Sequence, residues 1–282
     1  MIEMSTRTLS ASLCLTAVLV IAACVTTPGR AQGETEAATP ERIDLTNFPG
    51  ELVDKVVVPI PAEIFAVLDK LDEPDWNSGI ELPGENAQGR DRAILALIFG
   101  SLVGEGFIAV QAKNSDEIQK IGRRVLSLSE SLGLAGAVRP HSLAIIEAAG
   151  KSDWGKVRDE LDATQQTVRT TMESLRDDEL SGLVSLGGWL RGTNVVTAFI
   201  SSSFSEDKAE LLNQPGLLAH FRAMLGAMKG PSGKSPQIRA ISTGLARLEA
   251  IITQGTNLAE EDVNQLRDIS RAMLDEYYFV KP

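Results

Sequence analysis

After Cys24 the chain contains no further cysteine: its two cysteines, Cys14 and Cys24, both lie in the first tenth of 282 residues. The remainder therefore cannot build a disulfide framework, a thiolate zinc site, a haem-attachment motif or a cysteine nucleophile. Histidine is nearly as scarce. His141 and His220 stand alone, neither belongs to an HExxH, and a protein-only catalytic zinc site is not expected. Aromatic residues make up 5% of the chain, so the core has to come from Leu, Ile, Val and Ala, which fill helix-on-helix interfaces. Basic residues are also in deficit, 27 Lys and Arg against 38 Asp and Glu, for a net charge of −11. Such a surface repels phosphate backbones, and nucleic acid is excluded as an expected partner.

Hydrophobic residues are 43% of the chain, ample for a sizeable core. The first apolar run, Ala11 to Ala23, is about thirteen residues, too short for a bilayer span of roughly twenty but suited to the hydrophobic region of a signal peptide. Initiation at Met4 would give that peptide a conventional basic start through Arg7. The run ends in Ile21-Ala22-Ala23-Cys24, which resembles the lipobox of bacterial lipoproteins: a branched residue, two small residues, then the cysteine that receives lipid. Cys14, preceded by bulky Leu13, fits that pattern badly. The resemblance implies that residues 1 to 23 are a lipoprotein signal peptide, that Cys24 is lipidated, and that membrane is a partner through that lipid. Cleavage near Ala31 and a retained anchor are the competing readings. Val25 after the cysteine leans towards the periplasmic side of the outer membrane.

Residues 24 to 41 hold almost no large apolar side chain and read as a flexible tether. Residues 42 to 89 read as an extended arm, a short helix and a long loop. The run LVDKVVVPIP has the β-branched composition of a strand, but Pro59 and Pro61 deny it a central place in a sheet. Ile64, Phe65, Leu68 and Leu71 fall at helical spacing after Pro61. Residues 72 to 89 form a loop long enough to cover or bind something. Asp72, Asp75, Asn77 and Glu81 invite a calcium reading, but the ligand alternation of an EF-hand is missing, and a surface loop anchored by Trp76 is the expectation.

From residue 90 to 282 the pattern is helical throughout, giving an all-α, multi-helix bundle. Ser115 to Leu132 stopped by Gly133, Pro140 to Ala149, Ser152 to Leu175, Asp177 to Ser201, 206 to 212, 216 to 229, 236 to 254 stopped by Gly255, and 259 to 279 are the expected helices. Residues 96 to 110 and 184 to 198 match at an offset of 88, pairing Gly100 with Gly188 and Gly104 with Gly192. That match divides the domain into two pseudo-symmetric units, 90 to 175 and 177 to 280. Each interior helical glycine costs about 1 kcal/mol against alanine. The four glycines must be offset by something, and the expectation is a close helix crossing. Neither run follows a strand or ends as a phosphate loop does.

Arg139, His141 and Glu147 are weak candidates to converge on an anion or metal, with a capping or surface role as the alternative. No GxSxG elbow is present. The acidic runs Asp177-Asp178-Glu179 and Glu260-Glu261-Asp262 sit at helix starts, where the macrodipole favours them. In general form the domain resembles imelysin-like periplasmic lipoproteins, which are duplicated helical bundles implicated in iron handling. Their GxHxxE motif is absent, so no residue is carried over and no cofactor is expected. The sequence thus points to a non-enzymatic envelope lipoprotein with an envelope protein partner. A periplasmic small-ligand module and a carboxylate-dependent enzyme are the alternatives.

Overall fold

The computed structural model describes residues 51–53, 56–58, 61–71, 73–84, 91–175, 177–255 and 257–280. The segments expected to be a signal peptide and a tether, with Cys24, and also Asp72 and residues 85–90, lie outside the described residues. What is described is an all-α fold of packed helices preceded by a small hairpin. Where the sequence predicts only an extended arm, β1 (Glu51–Val53) and β2 (Val56–Val58) pair antiparallel, Glu51 opposite Val58 and Val53 opposite Val56. β2 runs beside the later helix α8, Pro215–Ala227. The pairing stops one residue short of Pro59, which has no N–H to continue a ladder.

Next come α1 (Pro61–Leu68), extended by a 3₁₀ turn to Leu71, and a second 3₁₀ turn at Trp76–Gly79. The remaining helices are α2 (Arg92–Gln111), α3 (Ser115–Leu132), α4 (Ala135–Gly150), α5 (Trp154–Leu175), α6 (Asp178–Ser202), α7 (Glu206–Ala209), α8, α9 (Pro236–Ile252) and α10 (Glu260–Asp275).

Several helix starts differ from the expected ones, each for a local reason. Asn114 rather than Ser115 caps α3, accepting from the Glu117 N–H at 3.1 Å. Ser152 adopts φ 57° in the turn, and Asp153 accepts from the Lys156 N–H to cap α5. α4 begins at Ala135, not at Pro140. Pro140 therefore lies inside α4 as its sixth residue, where it forgoes the bond an N–H would make to the Gly136 carbonyl. α9 ends at Ile252, ahead of Gly255, where the Thr253 hydroxyl donates to the Glu249 carbonyl. Gly133 at φ 77° closes α3, as the sequence predicts, and Asp177 and Ser235 cap α6 and α9.

α2 is apolar on nearly every face and buried on nearly every face, which makes it the axis of the molecule. It is long and apolar enough to cross a membrane, yet 89% of its apolar window is covered by other helices. Its main partner is α6. On one side α3, α4 and α5 follow α2 in packing order, and on the other α10, α9 and α8 follow α6. After α6 the chain touches it again with α8, where Trp189 meets Phe221 at 5.5 Å, and returns to it most extensively with its last helix, α10.

The crossing of α2 and α6 is made by glycines. A Cβ on Gly100 would fall inside the Val184 carbonyl, and one on Gly187 inside the Leu97 carbonyl. A Cβ on Gly104 would lie 3.1 Å from the Gly188 oxygen, and one on Gly188 would lie 3.2 Å from the Gly100 oxygen. Gly192 has nothing within 4 Å of such a position, so it takes no part. The reciprocal pairs relate Gly100 to Gly187 and Leu97 to Val184, both 87 positions apart rather than 88. One residue on a helix is a rotation of about 100°. Gly187, not Gly188, is thus the counterpart of Gly100 across the crossing.

Candidate functional site

One turn beyond that crossing, the close approach brings two charges together inside the core. Glu105 of α2 and Arg191 of α6 are 0% and 2% exposed. Arg191 Nε donates to Glu105 Oε2 at 2.5 Å, and Nη2 donates to Oε1 at 3.1 Å. The pair is completed by backbone from the strap, residues 73–84. Arg191 Nη2 donates to the Gly79 carbonyl at 2.5 Å, and the Glu81 N–H donates to Glu105 Oε1 at 2.5 Å. Ile80 between them is extended, φ −79° and ψ 121°, so both backbone groups face the same way, as in a paired strand.

The C-terminal turn closes the cluster. The Tyr278 hydroxyl donates to Glu105 Oε2 at 3.5 Å. The Ser101 hydroxyl donates to the Gly187 carbonyl at 3.0 Å and lies 2.8 Å from the Tyr277 hydroxyl, a second buried set of bonds beside the first. Burial pushes the Glu105 carboxyl up, with Arg191 and the Glu81 N–H opposing it. Burial likewise raises both phenols, Tyr278 also feeling the Glu105 charge, and keeps them protonated donors.

The strap is held from outside as well. The Glu81 carboxylate takes both Nη atoms of Arg271, at 2.6 and 3.0 Å, and Arg271 stacks 4.0 Å over the Phe279 ring. Arg124 donates to the Pro83 carbonyl, and Asn114 to the Asn77 side chain. Trp76 is buried edge-on against Phe199 at 5.0 Å. The loop is therefore anchored by Trp76, and among its described residues Asp75 accepts from the Asn77 N–H, Asn77 bonds Asn114 and Glu81 pairs with Arg271. Among the described residues no group of three or more His, Cys, Asp or Glu is arranged to hold a metal.

The three weak ligand candidates do not meet. Arg139 pairs with Glu130, Glu147 with Lys151, and His141 bridges to α5 through Glu160 and Thr167, each at 3.0 Å. His141 is also in mid-helix, because α4 starts earlier than the sequence predicts. His220 sits on α8 with its ring beside Phe221. A depression of about 200 Å³ between α9 and α10, lined by Arg247, Gln265, Asp268 and Ile269, lies at the surface.

Glu105 and Arg191 were not among the residues the sequence singles out, although a signal exists. Glu105 is the sole acid of α2, and Arg191 the sole base of α6, in helices that are otherwise apolar around the crossing. A charge that a buried helix carries into the core has to meet one of opposite sign, but which helix supplies it emerges only once the two are packed.

Chemically, the cluster is closed. Every oxygen of Glu105 is bonded within the fold, and the strap seals it from solvent, so the carboxylate meets no cleft in which to exchange a proton with a substrate. Its geometry suits a polar lock joining α2, α6, the strap and the C-terminus. Compared with protein-family models, with curated proteins and with solved structures, the chain matches none.

Proposed function

We propose that this is a lipid-anchored protein of the bacterial envelope whose helical domain serves as a non-enzymatic interaction scaffold. The observation that carries the anchor is Ile21-Ala22-Ala23-Cys24 at the end of an apolar run too short to span a bilayer, followed by a chain free of cysteine. The scaffold half of the reading is supported by the closed state of the buried carboxylate. Glu105, a buried acid whose carboxyl burial pushes up, is consumed by Arg191 and the strap. Outer membrane, periplasmic face, is the side favoured by Val25.

The test is a native purification of the tagged protein from its own envelope, with protein and small-molecule mass spectrometry on one eluate. A diacylglyceryl group on Cys24 and a stoichiometric protein surviving high salt are expected. An unmodified Cys24 overturns the anchor. A retained small molecule without any protein overturns the scaffold in favour of a ligand-binding module.

A further inference from the structure

Charge is distributed unevenly along this acidic chain. From Leu211 to Leu248 there is no Asp or Glu, while Arg222, Lys229, Lys234, Arg239 and Arg247 supply five positive charges. The chain totals −11, so everything outside this stretch sums to −16. The fold keeps these bases on one pair of helices. α8 and α9 pack on each other and are joined by residues 228–235. Lys229 and Lys234 lie in that connection, and Arg239 is the fourth residue of α9. Arg239, Thr243 and Arg247 follow at a spacing of four, all exposed, and make a stripe along α9.

These bases are available. Arg222 is taken by Glu249, but Lys229, Lys234, Arg239 and Arg247 are exposed and form no ion pair among the described residues. On α10, the helix packed against α9, Asp268 and Asp275 are already paired with Arg267 and Arg271. The chemistry of the face also selects its occupant. Among the described residues the large exposed hydrophobic side chains are Leu143, Leu175 and Val280, and none lies between 211 and 248. A protein interface needs an apolar centre, which this face lacks. A single small anion needs convergent donors, whereas the stripe from Arg239 to Arg247 alone runs about 12 Å. A layer of anionic lipid headgroups needs neither, and each basic side chain held against one strengthens binding about fivefold. The negative charge carried elsewhere is repelled by the same layer, which orients the domain with this face towards it.

We infer that the α8 and α9 face, through Lys229, Lys234, Arg239 and Arg247, docks the helical domain on an anionic lipid surface. This goes beyond the scaffold reading, leaves the other faces for a protein partner, and does not depend on lipid at Cys24.

The test uses the full chain carrying Cys14→Ser and Cys24→Ser, so that no lipid is attached. Its cosedimentation is measured with vesicles of phosphatidylcholine alone or mixed equally with phosphatidylglycerol. The apolar run at 11–23 acts on both vesicles, so the difference between them reads charge. Lys229→Glu, Lys234→Glu and Arg239→Glu together are compared with Lys70→Glu, Arg123→Glu and Lys156→Glu, three exposed bases elsewhere that give the same net charge. The parent and the charge-matched control should prefer the anionic vesicles by about tenfold or more, and the face variant should lose that preference. High salt should abolish it in every chain. The corresponding triple glutamine variant, which adds no acid, should lose most of it while keeping the parent's helical content. An absent preference in the parent, full preference in the glutamine variant, or an equal loss in the charge-matched control overturns the inference.

Discussion

At the scale of single residues, the Glu105 and Arg191 pair sets the largest expected effects. Both are fully enclosed, so removing one leaves an uncompensated charge. Glu105→Ala or Arg191→Ala should destabilise the fold by about 3–5 kcal/mol, whereas Glu105→Leu combined with Arg191→Met should recover most of that loss. Urea midpoints of the four chains check this, and a double variant as weak as the worse single one would refute it. The pair also has a pH signature. Burial raises the Glu105 carboxyl in the folded state above its unfolded value. The native state therefore binds the proton more readily, and this group's contribution is fully present below the unfolded pKa and is lost as pH rises through the folded one. Glu105→Gln should remove that part of the pH slope, measured as stability against pH in both chains. A charged residue in a helical sequence ordinarily reads as a solvated face, which is why these two residues were not legible as a site until their helices were placed. Trp76, by contrast, was legible as an anchor because a lone Trp in a polar loop has to bury its ring.

Among the elements, the α2 and α6 crossing gives paired predictions of opposite sign. Gly187→Ala would drive a methyl into the Leu97 carbonyl, and Gly100→Ala one into the Val184 carbonyl. Overpacking of this kind should cost about 1–3 kcal/mol or more, because backbone cannot rotate aside as a side chain can. Gly192→Ala meets nothing, and it should stabilise the fold by up to about 1 kcal/mol through helix propensity. Denaturant midpoints of the three variants decide it, and a destabilised Gly192→Ala would show that the helix face is not open there. The crossing was legible in outline from glycines spaced by four in two apolar runs. Its register was not, since Gly187 and Gly188 are adjacent and only the facing helix selects between them. Helix existence was likewise easier to read than helix starts. Asn114 and Asp153 each compete with a neighbouring serine for the cap, and only the path of the turn decides between the two.

For the molecule as a whole, the all-α class followed from composition and uniform helical periodicity, but the packing order did not. Periodicity says which face of a helix is buried, and not against which neighbour. That α6 is rejoined by α10, the last helix, depends on long-range closure that no local pattern encodes. The proposed anchor belongs to this scale too, because it divides the chain by task. Among the described residues the core runs from Phe65 to Tyr278. On the proposed division, Cys24 and the tether serve attachment and the helical domain carries the fold. Cys24→Ala should therefore abolish incorporation of labelled fatty acid and move the protein from the membrane to the soluble or unprocessed fraction. The same change should leave the thermal midpoint of the helical domain where it was. Fatty-acid labelling with fractionation reads the first effect, and calorimetry of the purified domain reads the second. If acylation persists in this variant, the lipid is carried elsewhere or the lipobox assignment fails. If acylation is lost and the midpoint also falls, the N-terminal segment is part of the folded unit, and the division into tether and scaffold has to be abandoned.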